Sequence, residues 1–147
     1  MGMRAIDLIV IHHSASPLHT TVEEITTWHK ARDFQTIGYH FVVLEDGTVA
    51  KGRDINSIGA HATGHNLRSI GICVVGDNTR PEMRWTNVQV HCLRALVQTL
   101  HILWPDTRVC GHRDLAGAAT VCPGLDVGAM LAKRGDDSWT VLKSQES

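Results

Sequence analysis

"DLIVIHHSA", residues 7–15, decides the architecture. Leu8, Ile9, Val10 and Ile11 are apolar at both parities, so a strand here has no side to turn toward water. A strand covered on both faces belongs in the middle of a sheet with a layer on either side. It ends on two histidines, His12 and His13, and strand ends are where α/β folds gather their ligand sites. Successive strand residues point to opposite faces, so at most one of the pair faces any given site.

The next segments alternate in type. In "TTVEEITTWHKAR" (20–32) Val22, Ile25, Thr26 and His29 share one helical face, and Thr20 or Thr21 with a glutamate three residues on supplies a capping-box start. "GYHFVVLEDGTVAKGRD" (38–54) reads as strand over 39–44, a tight turn at Asp46-Gly47 and a return strand over 48–51. "RSIGICVVGDN" (68–78) holds another buried strand at about 69–75. Thr86 and Gln89 frame a second capping box, followed by Leu93, Leu96, Val97, Leu100, Leu103 and Trp104 at helical spacing up to Pro105. "TRVCG" (107–111) is a short strand and "GLDVGAMLAKR" (124–134) a last helix. The fold class is therefore α/β: one domain over residues 1–134, a central mixed sheet flanked by about three helices, with a polar tail over 135–147.

Composition narrows the function. At 147 residues the chain buries an ordinary core without staples. A formal net charge of -1 excludes nucleic acid as the main partner, which would need a basic stripe. No apolar run is long enough to span a membrane, and the apolar run near the start is too short for a secretory leader, with Asp7 interrupting its approach. Synthesis in a cytoplasm without a signal peptide is the expectation. Of four cysteines, Cys73 and Cys110 lie in strand-like runs and Cys92 in a helical one, as free buried thiols would. Cys122 stands apart in the loop "VCGHRDLAGAATVCPG" (109–124), ten residues after His112.

A histidine ending the first strand, His112 following another strand, and Cys122 in a loop that folds back form a donor set suited to tetrahedral zinc with one position open. A structural zinc would more often take four ligands in paired units such as CxxC, which the sequence lacks. Each of these residues alone has a plainer reading, a satisfied strand-end histidine or a small buried thiol.

Four stretches taken together say more: "IVIHHSAS" (9–16), "WHKARDFQTIGYHFVVLEDGTVAKGRD" (28–54), "IGAHATGHNLRSIGICVVG" (58–76) and "GHRDLAGAATVCPGLD" (111–126). The chain resembles, over about residues 6–132, the zinc-dependent type 2 N-acetylmuramoyl-L-alanine amidases, which include small phage endolysins and the peptidoglycan recognition proteins. The resemblance implies His12, His112 and Cys122 as Zn²⁺ ligands and Tyr39 as the catalytic tyrosine. It implies His61 on the wall of the substrate groove. It puts Thr120, two residues before Cys122, where some phage and bacterial members carry lysine and many recognition-protein amidases carry threonine. The His112–Cys122 loop is slightly longer than in compact members.

The implied function is zinc-dependent hydrolysis of the amide between N-acetylmuramic acid and L-alanine, in a monomer acting on peptidoglycan or muropeptides. A phage-type endolysin freed by a holin is the leading role. A cytoplasmic muropeptide-recycling amidase, a non-catalytic peptidoglycan-binding module and a regulator docked on another protein are the alternatives, and Cys122 favours the enzymes. The remaining histidines read as structural: His13 pointing away from His12, His40 opposite Tyr39, and His29 on the apolar face of its helix. Trp28, Trp85 and Trp104 read as core or interface anchors.

Overall fold

The structure is a computed structural model and describes residues 4–132. The 134/135 boundary and the polar tail expected over 135–147 lie outside the described residues. In chain order the elements are β1 (Leu8–His13), α1 (Val22–Lys30), β2 (Phe41–Val43), β3 (Val49–Lys51), β4 (Ser69–Val74), α2 (Asn87–Leu103), β5 (Arg108–Gly111) and α3 (Val127–Ala132). They form a five-stranded mixed sheet in the order β3-β2-β4-β1-β5. β1 runs parallel to both β4 and β5, β2 is parallel to β4, and only the β2–β3 hairpin is antiparallel.

All six residues of β1 and of β4 are buried, which is why neither shows polar alternation. Ile9 and Ile11 face a core built with Ile70, Ile72, Trp85, Leu93 and Val97, where α2 lies across the sheet and α3 closes it. Leu8 and Val10 face the other way, toward Ala62 and Leu115. Further along that second face Ile25 of α1 packs with Ile37, Val42 and Val75.

Both long helices start where the sequence predicts. Thr21, not Thr20, caps α1 in a box with Glu24, and Thr86 caps α2 in a box with Gln89. α2 ends at Leu103, just ahead of Pro105. The outer strands are shorter than their apolar runs: β2 covers only 41–43 of the expected 39–44. Gly38 through His40 instead form an irregular approach whose polar groups bond the loops around it, as in the Ala60 N–H donation to Gly38 O and the Gly52 N–H donation to His40 O. Of the cysteines, all four are free, but Cys92 and Cys110 are half-buried where full burial was expected. Trp28 is exposed, at 44 %, while Trp85 and Trp104 are buried.

Candidate metal centre

β1 and β5 are neighbours with Ile11 paired to Gly111, so their next residues, His12 and His112, leave the ladder side by side. The imidazole rings of the two lie 4.7 Å apart between centroids. Cys122 reaches them because its loop is tied shut at the base. Arg113 N–H donates to Cys122 O at 2.7 Å, and the Pro123 ring sits over Gly111, where a Cβ would meet Pro123 Cδ at 2.8 Å. Asn78 fastens the same loop from the end of β4: its Nδ2 donates to Pro123 O at 2.8 Å while its Oδ1 accepts Trp85 N–H at 3.1 Å.

One donor atom from each of His12, His112 and Cys122 lies within 4.8 Å of the others. Cys122 Sγ is 3.8 Å from His12 Nδ1. That is close to the roughly 3.5 Å that separates two ligands of a tetrahedral zinc with bonds of about 2.0–2.3 Å. The chemistry of the set fits as well. Burial, reinforced by neighbouring His61 and His112, holds His12 far below the ordinary imidazole range, so its lone pair stays free of a proton. Desolvation, with His65 nearby, lowers His112 in the same direction. Burial pushes the Cys122 thiol up to about 11, opposed by the His13 backbone N–H that donates to Sγ at 3.3 Å. Without a cation beside it the sulfur therefore keeps its proton. Two neutral imidazoles and a thiol that ionises only against a positive charge are a donor set that could hold a metal ion.

These donors line a groove of about 660 Å³ together with Tyr39, His61, Thr120, His29 and Arg32. Tyr39 stands with its ring 5.0 Å from that of His12. Desolvation, with the Cys73 and Cys122 thiols close by, raises its phenol well above the usual range, so the hydroxyl keeps its proton. The Thr120 hydroxyl accepts Cys122 N–H at 3.1 Å, and its own proton is left to give away. His61 lies on the groove wall with both ring nitrogens engaged, Nδ1 with His12 Nε2 at 2.9 Å and Nε2 with Ser69 Oγ at 3.1 Å.

His13, His40 and His29, expected to be structural, each have a hydrogen-bond partner. His13 is buried with Nδ1 accepting Asn78 N–H, and His40 bonds Gly71 N–H and Ser57 O. His29 accepts Gly38 N–H at 2.8 Å, but it also lines the groove and packs its ring 5.2 Å from that of Tyr39. Asp114 accepts Gly111 N–H at 2.9 Å and so shapes the turn that carries His112. Ser69 and Asn78 escaped the sequence reading. A serine opening a strand and an asparagine after one carry no spacing signal; only the fold brings Ser69 to His61 and Asn78 to the loop that carries Cys122.

Residues 2–125 match the family model for N-acetylmuramoyl-L-alanine amidase. The endolysin of Escherichia phage T7 is 37% identical over 126 residues, covering 82% of each chain. Among solved structures, the Ph2119 endolysin from a Thermus scotoductus MAT2119 bacteriophage superposes with a TM-score of 0.81 at 31% identity, over 93% of this chain and 88% of that one. The amidase LysC from Clostridium intestinale URNW gives 0.76 at 35% identity, over 84% and 79%. With the fold, the donor set and the groove already in place, the chain belongs to the N-acetylmuramoyl-L-alanine amidase family.

Proposed function

We propose that this chain is a zinc-dependent peptidoglycan hydrolase that cuts the amide between N-acetylmuramic acid and the L-alanine of the stem peptide. The observation that carries the reading is the convergence of His12, His112 and Cys122 at the floor of an open groove, with no fourth His, Cys, Asp or Glu completing the cluster among the described residues. Three protein donors with one position left over is the pattern of a catalytic zinc, where four would indicate a structural one. Bound there, the ion would supply Lewis acidity, polarising an amide carbonyl and bringing the pKa of water toward neutrality.

The chain's own groups do the rest. The Tyr39 hydroxyl, held protonated, donates a hydrogen bond to the oxygen that gains charge as the amide carbon becomes tetrahedral. Thr120 adds a second, uncharged donation while its oxygen keeps the Cys122 N–H in place. The His13 N–H steadies the sulfur as a thiolate. All three donors and both hydroxyls come from one chain, so a monomer suffices.

Chelation should abolish muropeptide cleavage and added zinc should restore it, and Cys122→Ser should be inactive under both conditions. Activity indifferent to chelator and to that substitution would remove the reading. For the biological role, relatives named endolysins support lysis of the cell wall after release from the cytoplasm. Turnover on intact sacculi well above turnover on soluble anhydro-muropeptides is the expected outcome; the reverse ratio favours a recycling amidase.

A further inference from the structure

We propose that His61 is a positioning residue for the metal centre. It accepts the Nε2–H of His12, which fixes the tautomer that turns the His12 Nδ1 lone pair toward Cys122 and His112, and it passes its own Nε2–H to Ser69. The inference rests on the zinc reading above for its purpose, and on contacts of the described chain for its geometry.

The direction of this relay follows from counting protons. A neutral imidazole carries one N–H, so His12 either donates from Nε2 and keeps a bare Nδ1, or carries its proton on Nδ1. The Nδ1 side faces Cys122 Sγ at 3.8 Å, and the Nε2 side faces His61 Nδ1 at 2.9 Å. A metal at the donor cluster needs the bare Nδ1. His12 Nε2–H must then donate to His61 Nδ1, which leaves the His61 proton on Nε2, 3.1 Å from Ser69 Oγ. The hydroxyl oxygen accepts there. Run the other way, the chain of bonds would put a proton on His12 Nδ1, in the place of the ion.

The fold holds His61 in this pose from several sides. Its ring lies on the backbone of Gly71 in β4, where a Cβ would stand 2.5 Å from ring atoms, and a Cβ on Gly59 would stand 2.7 Å from His61 Cδ2. The ring meets that of His12 edge-on, at 89°. The turn bearing it is bracketed by Asn66, whose Oδ1 accepts the N–H groups of both His61 and Ala62 at 3.0 Å. Strand alternation puts Ser69 and Gly71 on one face of β4, so a single strand supplies both the relay's end and the surface it rests on. A histidine whose two nitrogens are engaged this way has no free edge for substrate. Its contribution runs through His12, as outer partners of metal-binding histidines generally act.

The test compares two near-isosteric replacements of similar shape. Asn in His61→Asn offers Oδ1 about where Nδ1 stood and accepts the His12 proton; Leu in His61→Leu fills the same space and accepts nothing. Zinc dissociation constants are read by chelator competition on the full chain. The expected result is a rise of about 10–100-fold for His61→Leu, with His61→Asn within a few-fold of the wild-type protein. Equal weakening in both variants, or none in either, overturns the proposal. Should the leucine variant fail to fold, nitrogen-15 NMR of the metal-free wild-type chain decides. His12 should show a bare Nδ1 and a protonated Nε2, and a protonated Nδ1 sinks the idea. A wild-type chain that takes up no zinc would overturn the metal reading itself, whereas tight wild-type binding unchanged in His61→Leu overturns only the role of His61.

Discussion

Two side chains at the groove floor have their protons held in place by burial, with opposite consequences. Tyr39 keeps its proton because desolvation raises its phenol, which makes it a donor at any pH where the fold survives. Tyr39→Phe should lower kcat by about 10²–10³, the usual cost of removing one donor to a developing oxyanion, with zinc affinity little changed. A fall in both together would mean that the ring supports the metal site instead. Cys122 also keeps its proton, at about 11, but must lose it to become a ligand. His12 and His112 are already neutral near pH 7, being pushed below the imidazole range. Zinc uptake should therefore release about one proton, and apparent affinity should rise close to tenfold per pH unit between pH 7 and 9. Calorimetry in buffers of different ionisation enthalpy measures the proton count; a count near zero contradicts it.

The helices and strands divide the labour. α2 is anchored by its Thr86–Gln89 capping box and supplies one side of the main core, on the sheet face away from Val10 and Leu8. Thr86→Ala should cost about 1 kcal/mol, lowering Tm by roughly 4 °C for a domain of this size, and leave zinc affinity untouched. β4 carries the site face through Ser69, Gly71 and Cys73, with no room above Gly71 because the His61 ring occupies it. Gly71→Ala should displace that ring and weaken zinc binding well beyond any change in Tm of the metal-free chain. A Gly71→Ala variant that binds zinc like wild type would mean the ring can move without consequence for His12.

At the scale of the whole molecule, folding gathers several histidines that resist protonation into one region. Burial holds His12 far below its unfolded value of 6.5 and brings His61 to about 3. For such a group the unfolded chain binds a proton that the folded chain refuses, so stability falls as pH drops below about 6.5. Each contributes up to about 1.4 kcal/mol per pH unit in that window. The metal-free protein should therefore lose Tm steeply between pH 6.5 and pH 4.5, and a flat Tm over that range would show that the site protonates without unfolding. A bound cation, competing with the same protons, should extend the stable range downward.

What the sequence determined by itself were the properties carried by local pattern. Apolar runs at both parities gave β1 and β4, threonine with Glu24 or Gln89 gave the helix starts, and Asp46-Gly47 gave the hairpin. His12, His112 and Cys122 were nameable because they stand at a strand end, after a strand and in a loop, where side chains reach a site, and because their motifs resemble those of a known family. Tertiary structure alone decided what those donors touch. Parallel pairing of β1 with β5 set His12 beside His112, Asn78 and Gly111 closed the loop that returns Cys122, and Ser69 came to the far nitrogen of His61. The physical reason is range. Periodicity and capping are written within a few residues, whereas a hydrogen bond between side chains 49 positions apart, such as His12 to His61, exists only once the sheet has fixed its register.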